Sequence, residues 1–132
     1  MTDFIVIDDD NMNNIICFNI IKQTIKGAVV NTFTEPEKGL EYILSGYSDE
    51  NSSDAVLFLD INMPSLSGWE VLDKFKDFPE SIKKRIKIHM LSSSVNPLDK
   101  RKAQDNPYVS SYVEKSLSKI KLLTISNSLV LQ

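Results

Sequence analysis

An α/β fold built on a parallel sheet is predicted by three observations. The runs Phe4-Ile5-Val6-Ile7 and Ala55-Val56-Leu57-Phe58-Leu59 are continuously apolar, as strands buried on both faces are. Such runs alternate along the chain with longer segments of helical spacing, the pattern of βα units. Both runs end in aspartate, Asp8-Asp9-Asp10 after the first and Asp60 after the second. The carboxylates therefore collect at the carboxyl edge of the sheet, where open α/β sheets bind ligands.

The elements follow in order. Strands are expected at Phe4 to Asp8, Ala28 to Phe33, Ala55 to Asp60, Ile86 to Leu91 and Tyr108 to Val113. Between the first two, Met12, Ile15, Ile16, Cys17, Ile20 and Ile21 recur at helical spacing, which predicts a helix with Cys17 on its packing face. Asp10 or Asn11 is placed to cap that helix and Gly27 to stop it. A second helix runs from about Glu35 to Leu44, ended by Gly46, and a third from about Ser67 to Phe78. The fourth, after Pro97, is short and polar, and the fifth, from about Ser118, carries Ile120, Leu122, Leu123 and Ile125. Tyr47 to Asp54 and the stretch after Phe78, with its Lys83-Lys84-Arg85 cluster, read as surface loops without chemistry. His89, between Ile88 and Met90, reads as a packed neutral imidazole, and Trp69 as helix packing.

Composition narrows the function classes. The chain has 132 residues, near the commonest domain size, and 42% of them are hydrophobic, so a single domain over residues 1–132 is expected, with no output domain. Fifteen Lys plus Arg against eighteen Asp plus Glu leave a net charge of −3, which offers no general attraction to nucleic acid or to an anionic membrane. Cys17 is the only cysteine, which rules out an internal disulfide and a cysteine-based metal site. No apolar stretch has the length of a signal peptide or a membrane span, so a cytoplasmic location is expected. Clustered carboxylates repel one another unless something neutralises them. The economical reading is a divalent cation, Mg²⁺, beside one carboxylate that reacts, and Asp60 is the candidate for that carboxylate.

Four short motifs stand at the ends of successive strands: Val6-Ile7-Asp8-Asp9-Asp10, then Phe58-Leu59-Asp60-Ile61-Asn62-Met63-Pro64 with Gly68 beyond, then Met90-Leu91-Ser92-Ser93, and Tyr112-Val113-Glu114-Lys115. With them the sequence resembles the response-regulator receiver domain over nearly the whole chain. The resemblance implies a flavodoxin-like, doubly wound sheet of five parallel strands in the order 2-1-3-4-5, with helices on both faces. It implies that Asp60 is a phosphoacceptor, and that Asp9 and Asp60 bind Mg²⁺ directly, Asp8 through water and Asn62 through its backbone carbonyl. Lys115 and Ser92 would then bind the phosphate, and Tyr112 would be a switch aromatic that fills space vacated by Ser92. The implied role is a stand-alone response regulator in a two-component phosphorelay. Its partners would be a histidine kinase or histidine phosphotransfer domain and an unidentified target protein. No enzymatic output is implied beyond self-phosphorylation from phosphodonors and slow autodephosphorylation.

Two departures from the family pattern carry expectations of their own. Ser116 stands where the family usually has proline after the lysine, a bond that the family holds cis. A cis bond before a non-proline residue costs about 2.5 to 4 kcal/mol, so trans is expected at Lys115–Ser116, with the lysine still long enough to reach Asp60. The segment Ser126 to Leu131 has poor helical composition and an apolar finish, which leaves open fraying or a weak homodimer. Two other functions compete. A phosphohydrolase of the haloacid-dehalogenase type also uses an aspartate after a strand, but it needs an acidic residue two positions on, where Asn62 stands. A docking module that is never phosphorylated would have no use for Asp8, Asp9, Asp60, Ser92 and Lys115 together.

Overall fold

The computed structural model describes residues 3–49 and 52–130, the last four by backbone alone. The elements are β1 (Asp3–Ile7), α1 (Asn11–Thr24), β2 (Val29–Phe33), α2 (Pro36–Gly46), β3 (Ala55–Leu59), α3 (Gly68–Lys76), α4 (Glu80–Lys83), β4 (Ile86–Ser92), α5 (Pro97–Asp105), β5 (Val109–Glu114) and α6 (Lys119–Val130). All strand pairs are parallel, in the order β2-β1-β3-β4-β5. The flavodoxin-like order implied by the resemblance is the observed one.

Strand alternation explains why the apolar runs are unbroken. Ile5 and Ile7 of β1, Leu57 and Leu59 of β3, and Ile88 and Met90 of β4 join Leu40, Ile43, Val71, Leu72, Phe75 and Ala103 in one core layer under α2, α3 and α5. The intervening Phe4, Val6, Val56, Phe58 and Leu91 join Cys17, Ile21, Leu122 and Ile125 in a second layer under α1 and α6. Side chains on both faces of β1 and β3 are thus taken out of water, a contribution of roughly 1.5 to 3 kcal/mol for each fully buried large aliphatic or aromatic side chain. Burial on that scale holds the strand ends, and the residues just beyond them, in fixed positions.

The structure corrects several expectations. On α1, Met12 and Ile15 are exposed, and the buried residues are Asn13, Asn14, Cys17 and Ile21. Cys17 lies on the packing face as expected, with Ile21, but in the first turn two amides take the inward places expected of Met12 and Ile15. Asp10 does cap this helix, its carboxylate accepting from the Met12 N–H at 3.0 Å, and Gly27 follows it at φ 77°. The stretch after Phe78 is more than a surface loop. It contains the one-turn α4, whose Ile82 is wholly buried. Tyr47 is also buried, its hydroxyl donating to Asp3 Oδ2 at 3.0 Å, and the Arg85 guanidinium is buried while donating to the carbonyls of Tyr47 and Asp49. These residues seal the amino-terminal end of the sheet, opposite the carboxylates. Asn127 to Leu131 have side chains outside the described residues, as does the homodimer expectation placed on them.

Candidate functional site

Register brings the acidic residues together. Ile7 pairs with Leu59 across β1 and β3, so Asp8 and Asp60, each one residue further, emerge side by side at the carboxyl edge. Both are tied down by their own backbones. The Asp8 N–H donates to the Phe33 carbonyl and the Asp60 N–H to the Ile7 carbonyl, each at 3.0 Å. Asp8 and Asp60 are buried, whereas Asp9 is exposed, and one carboxylate oxygen from each lies within 4.8 Å of the others. A compact, all-oxygen, carboxylate-rich donor set of this kind suits a hard divalent cation. Asn62, two residues after Asp60, is exposed.

Lys115 reaches the cluster from the loop after β5. Its ammonium lies 2.7 Å from Asp8 Oδ2 and 3.4 Å from Asp60 Oδ1. The expected reach to Asp60 is present, but Asp8 is the nearer partner. The Lys115–Ser116 bond is cis, which corrects the trans expectation. The loop is held from several sides: the Lys115 N–H donates to the Ser92 carbonyl at 3.0 Å, Leu117 is buried, and the Lys121 ammonium takes the carbonyls of Glu114 and Ser116 at 2.6 and 3.2 Å. Contacts of that number override the local preference of a single peptide bond.

The electrostatics follow from this crowding. Burial, then the neighbouring Asp8, push the Asp60 carboxyl up to about 6, with Lys115 pulling back. Burial also lowers the Lys115 ammonium, but its hydrogen bond to Asp8 and the charges of Asp60 and Asp8 outweigh that, and the net shift is upward. Cys17 lies under the site, and burial followed by the charge of Asp8 raises its thiol to about 12, so it packs rather than reacts. His89 is packed as expected: burial, then the charge of Lys87, lower it to about 4, and its Nδ1 lies 2.6 Å from Ser111 Oγ.

Ser92 and Tyr112 complete the set. Ser92 is fully buried at the end of β4, its Oγ accepting from the Ser94 N–H at 3.1 Å. Half-buried Tyr112 donates its hydroxyl to the Ser94 carbonyl at 2.7 Å. The structure therefore links these two through Ser94, which in turn donates to Asp99 Oδ2 at 2.6 Å. Gly68 is required at the other rim. A Cβ there would overlap the Asp60 carbonyl oxygen and approach Ile61 Cα to 2.9 Å, while the Gly68 N–H donates to the Ile61 carbonyl at 2.8 Å.

Two residues at the site went unmarked in the sequence. Asn13 Nδ2 donates to Asp8 Oδ2 at 2.9 Å, and Asn14 Nδ2 donates to the Asp8 carbonyl at 3.0 Å. Their signal was present as a polar pair inside an apolar helix, within one turn of the acidic motif.

Comparison with known proteins agrees with this geometry. Among solved structures, a two-component response regulator from Cytophaga hutchinsonii is similar at 28% identity and TM-score 0.88, covering 100% of this chain and 98% of its own. A response regulator receiver protein from Dyadobacter fermentans shares the fold at 24% identity and TM-score 0.88, with 97% of each chain covered. A chemotaxis response regulator of Vibrio cholerae does so at 19% identity and TM-score 0.72, with 98% of each covered. No curated protein sequence matches the chain significantly. The model of the response regulator receiver domain matches residues 4–127, and the chain, with its carboxylates, serine and lysine gathered at one sheet edge, belongs to that family.

Proposed function

We propose that Asp60 accepts a phosphoryl group from a phosphohistidine donor and that the modified protein changes its affinity for a protein partner. The observation that carries this reading is Asp60 itself, a buried carboxylate beside Asp8 and Asp9 with the Lys115 ammonium 3.4 Å away. An Asp60 oxygen attacks phosphorus, a P–O bond forms, and the P–N bond to the donor imidazole breaks. The electron pair stays on that nitrogen, which takes up a proton. Asp60 must be ionised to attack, and a carboxyl near 6 is so for the most part at neutral pH.

The carboxylates of Asp8, Asp9 and Asp60 suit Mg²⁺; Asp9, Asp60 and the Asn62 carbonyl would hold it, with Asp8 through water, and it would neutralise charge on the transferring group. Lys115 stands ready to meet an added phosphate oxygen, and Ser92 offers a hydroxyl. The chain from Ser92 through Ser94 to Tyr112 supports a path from the site to the surface of β4, α5, β5 and α6. A phosphoryl group adds nearly two negative charges, and a coupling of about 1 to 3 kcal/mol would change partner affinity roughly 5- to 150-fold. The upstream partner is a histidine kinase or phosphotransfer domain of the kind that receiver domains serve, and the location is cytoplasmic. Among the described residues no helix is long and apolar enough to cross a membrane.

The test is labelling with Mg²⁺ and acetyl phosphate. One base-labile acyl phosphate is expected, mapping to Asp60 by mass spectrometry; full labelling of Asp60→Asn would reject the assignment. A companion substitution, Asp9→Ala, is expected to abolish Mg²⁺ binding by calorimetry while leaving metal-free thermal stability equal or higher, since one of three repelling carboxylates is gone. A lower melting temperature without metal would contradict the repulsion.

A further inference from the structure

Asp8 is surrounded by more donors than an aspartate at a strand end needs. Its Oδ1 accepts the Asp10 N–H at 2.9 Å. Its Oδ2 is shared, taking the Asn13 amide at 2.9 Å and the Lys115 ammonium at 2.7 Å. The two donors to Oδ2 differ in kind. Lys115 sits on a loop and also serves Asp60, whereas Asn13 is buried in the first turn of α1, where its Nδ2 also donates to Cys17 Sγ at 3.7 Å. An asparagine there is costly for the fold. Asn is a poorer helix former than Leu, and a buried amide needs partners that an aliphatic side chain does not. Met12 and Ile15, next to it, are turned outward.

We propose that Asn13 is a positioning residue that fixes the plane of the Asp8 carboxylate, so that Asp8 keeps its place in the acidic cluster when Lys115 is drawn to an incoming phosphate. The inference rests on the proposed function, because it gives Asp8 and Lys115 the roles assigned there. With the Asp10 N–H on one oxygen and the Asn13 amide on the other, rotation of the carboxylate breaks at least one bond. Without Asn13, Oδ2 is held by Lys115 alone. Any demand on the lysine then frees Asp8 to turn, and the cation site loses its preset form. Groups that stand behind a metal's direct ligands affect its affinity about 10- to 100-fold; Asp8, which meets the cation through water, is such a group, and Asn13 acts through it, so an effect of up to about tenfold is expected.

The experiment uses Asn13→Leu, which keeps the branched heavy-atom skeleton but is bulkier, and Asn13→Ala, in case the leucine does not fit. Calorimetric titration with MgCl₂ alone, metal-free thermal melting, and the rate of labelling by acetyl phosphate are measured for each and for the unaltered protein. The expected result is Mg²⁺ binding weaker by roughly three- to tenfold in both folded variants, with the metal-free melting temperature of Asn13→Leu equal to or above that of the unaltered protein. Slower labelling should be largely restored by raising Mg²⁺. Unchanged Mg²⁺ affinity in either folded variant overturns the proposal, and so does a loss of metal-free stability that accounts for the weaker binding. Failure of the unaltered protein to bind Mg²⁺ would instead overturn the reading of the site on which the inference rests.

Discussion

Asp60→Asn should make the metal-free protein more stable at pH 7 by about 2 to 3 kcal/mol, an increase that disappears on acidification. Asp60 carries a carboxyl raised to about 6, against an ordinary value near 4 in the unfolded chain. Between those values the folded state holds the extra proton, so stability falls as pH rises, by about 1.4 kcal/mol for each pH unit. The full penalty is present above about pH 6 and absent below about pH 4. His89 acts in the opposite sense over nearly the same range. Its imidazole, lowered to about 4 by burial, must stay neutral in the folded state, which costs stability as pH falls below the ordinary value near 6.5. The unaltered protein can therefore show a flat profile with two large contributions beneath it. The measurement is the difference in unfolding free energy between Asp60→Asn and the unaltered protein in EDTA from pH 4 to 7.5, in which the His89 contribution cancels. No difference at pH 7 would mean that burial does not hold the Asp60 carboxyl where its surroundings place it.

Gly68→Ala should destabilise the protein by roughly 2 kcal/mol and lower its melting temperature by several degrees, although alanine is the better helix residue. Two effects compete at this position, the first residue of α3. Replacing a helical glycine gains about 1 kcal/mol in a helix interior and less in the first turn. Against that, the new Cβ overlaps the Asp60 carbonyl oxygen, and backbone cannot turn aside as a side chain can. Relief requires moving α3 or the Asp60 peptide. Phosphorylation should slow even where the variant folds, because the Asp60 peptide carries the proposed acceptor. Gly46→Ala is the control: a Cβ there meets nothing within 4 Å, and stability should be unchanged or slightly higher. Equal melting temperatures for the two variants would show that α3 yields freely at Gly68.

The residues that proved legible in the sequence share a physical trait. The runs in β1 and β3 are read correctly because burial on both faces removes any ambiguity of register, and Asp8 and Asp60 inherit their places from them. Lys115 and Ser92 were accessible through motifs at strand ends, where a short stretch carries both the element and its terminal group. What stayed hidden depends on partners distant in sequence or on polarity in unexpected places. Arg85 reads as one of three exposed cations until its donors meet carbonyls 36 and 38 residues away. Periodicity counts apolar residues, so it found Cys17 and Ile21 but added Met12 and Ile15 to their face, whereas the acidic site needed the amides of Asn13 and Asn14. The cis bond at Lys115 belongs with Arg85, since the contacts that hold it come from β4, the acidic cluster and α6 rather than from its neighbours.

The division of the core into two layers has a consequence for how such a protein can diversify. Cys17, Ile21 and Phe58 support the carboxylates from the α1 and α6 side, while Tyr112 packs against the layer under α2, α3 and α5. The sheet lies between them, and the residues beyond its carboxyl ends adjoin both layers. Repacking the layer under α2, α3 and α5 reaches the Tyr112 side of the proposed partner surface without touching Cys17 or Ile21, whereas α6, which that surface also includes, belongs to the other layer. Pairs of substitutions drawn from opposite layers should accordingly combine as independent changes, and a lineage could exchange its audience without relearning its chemistry.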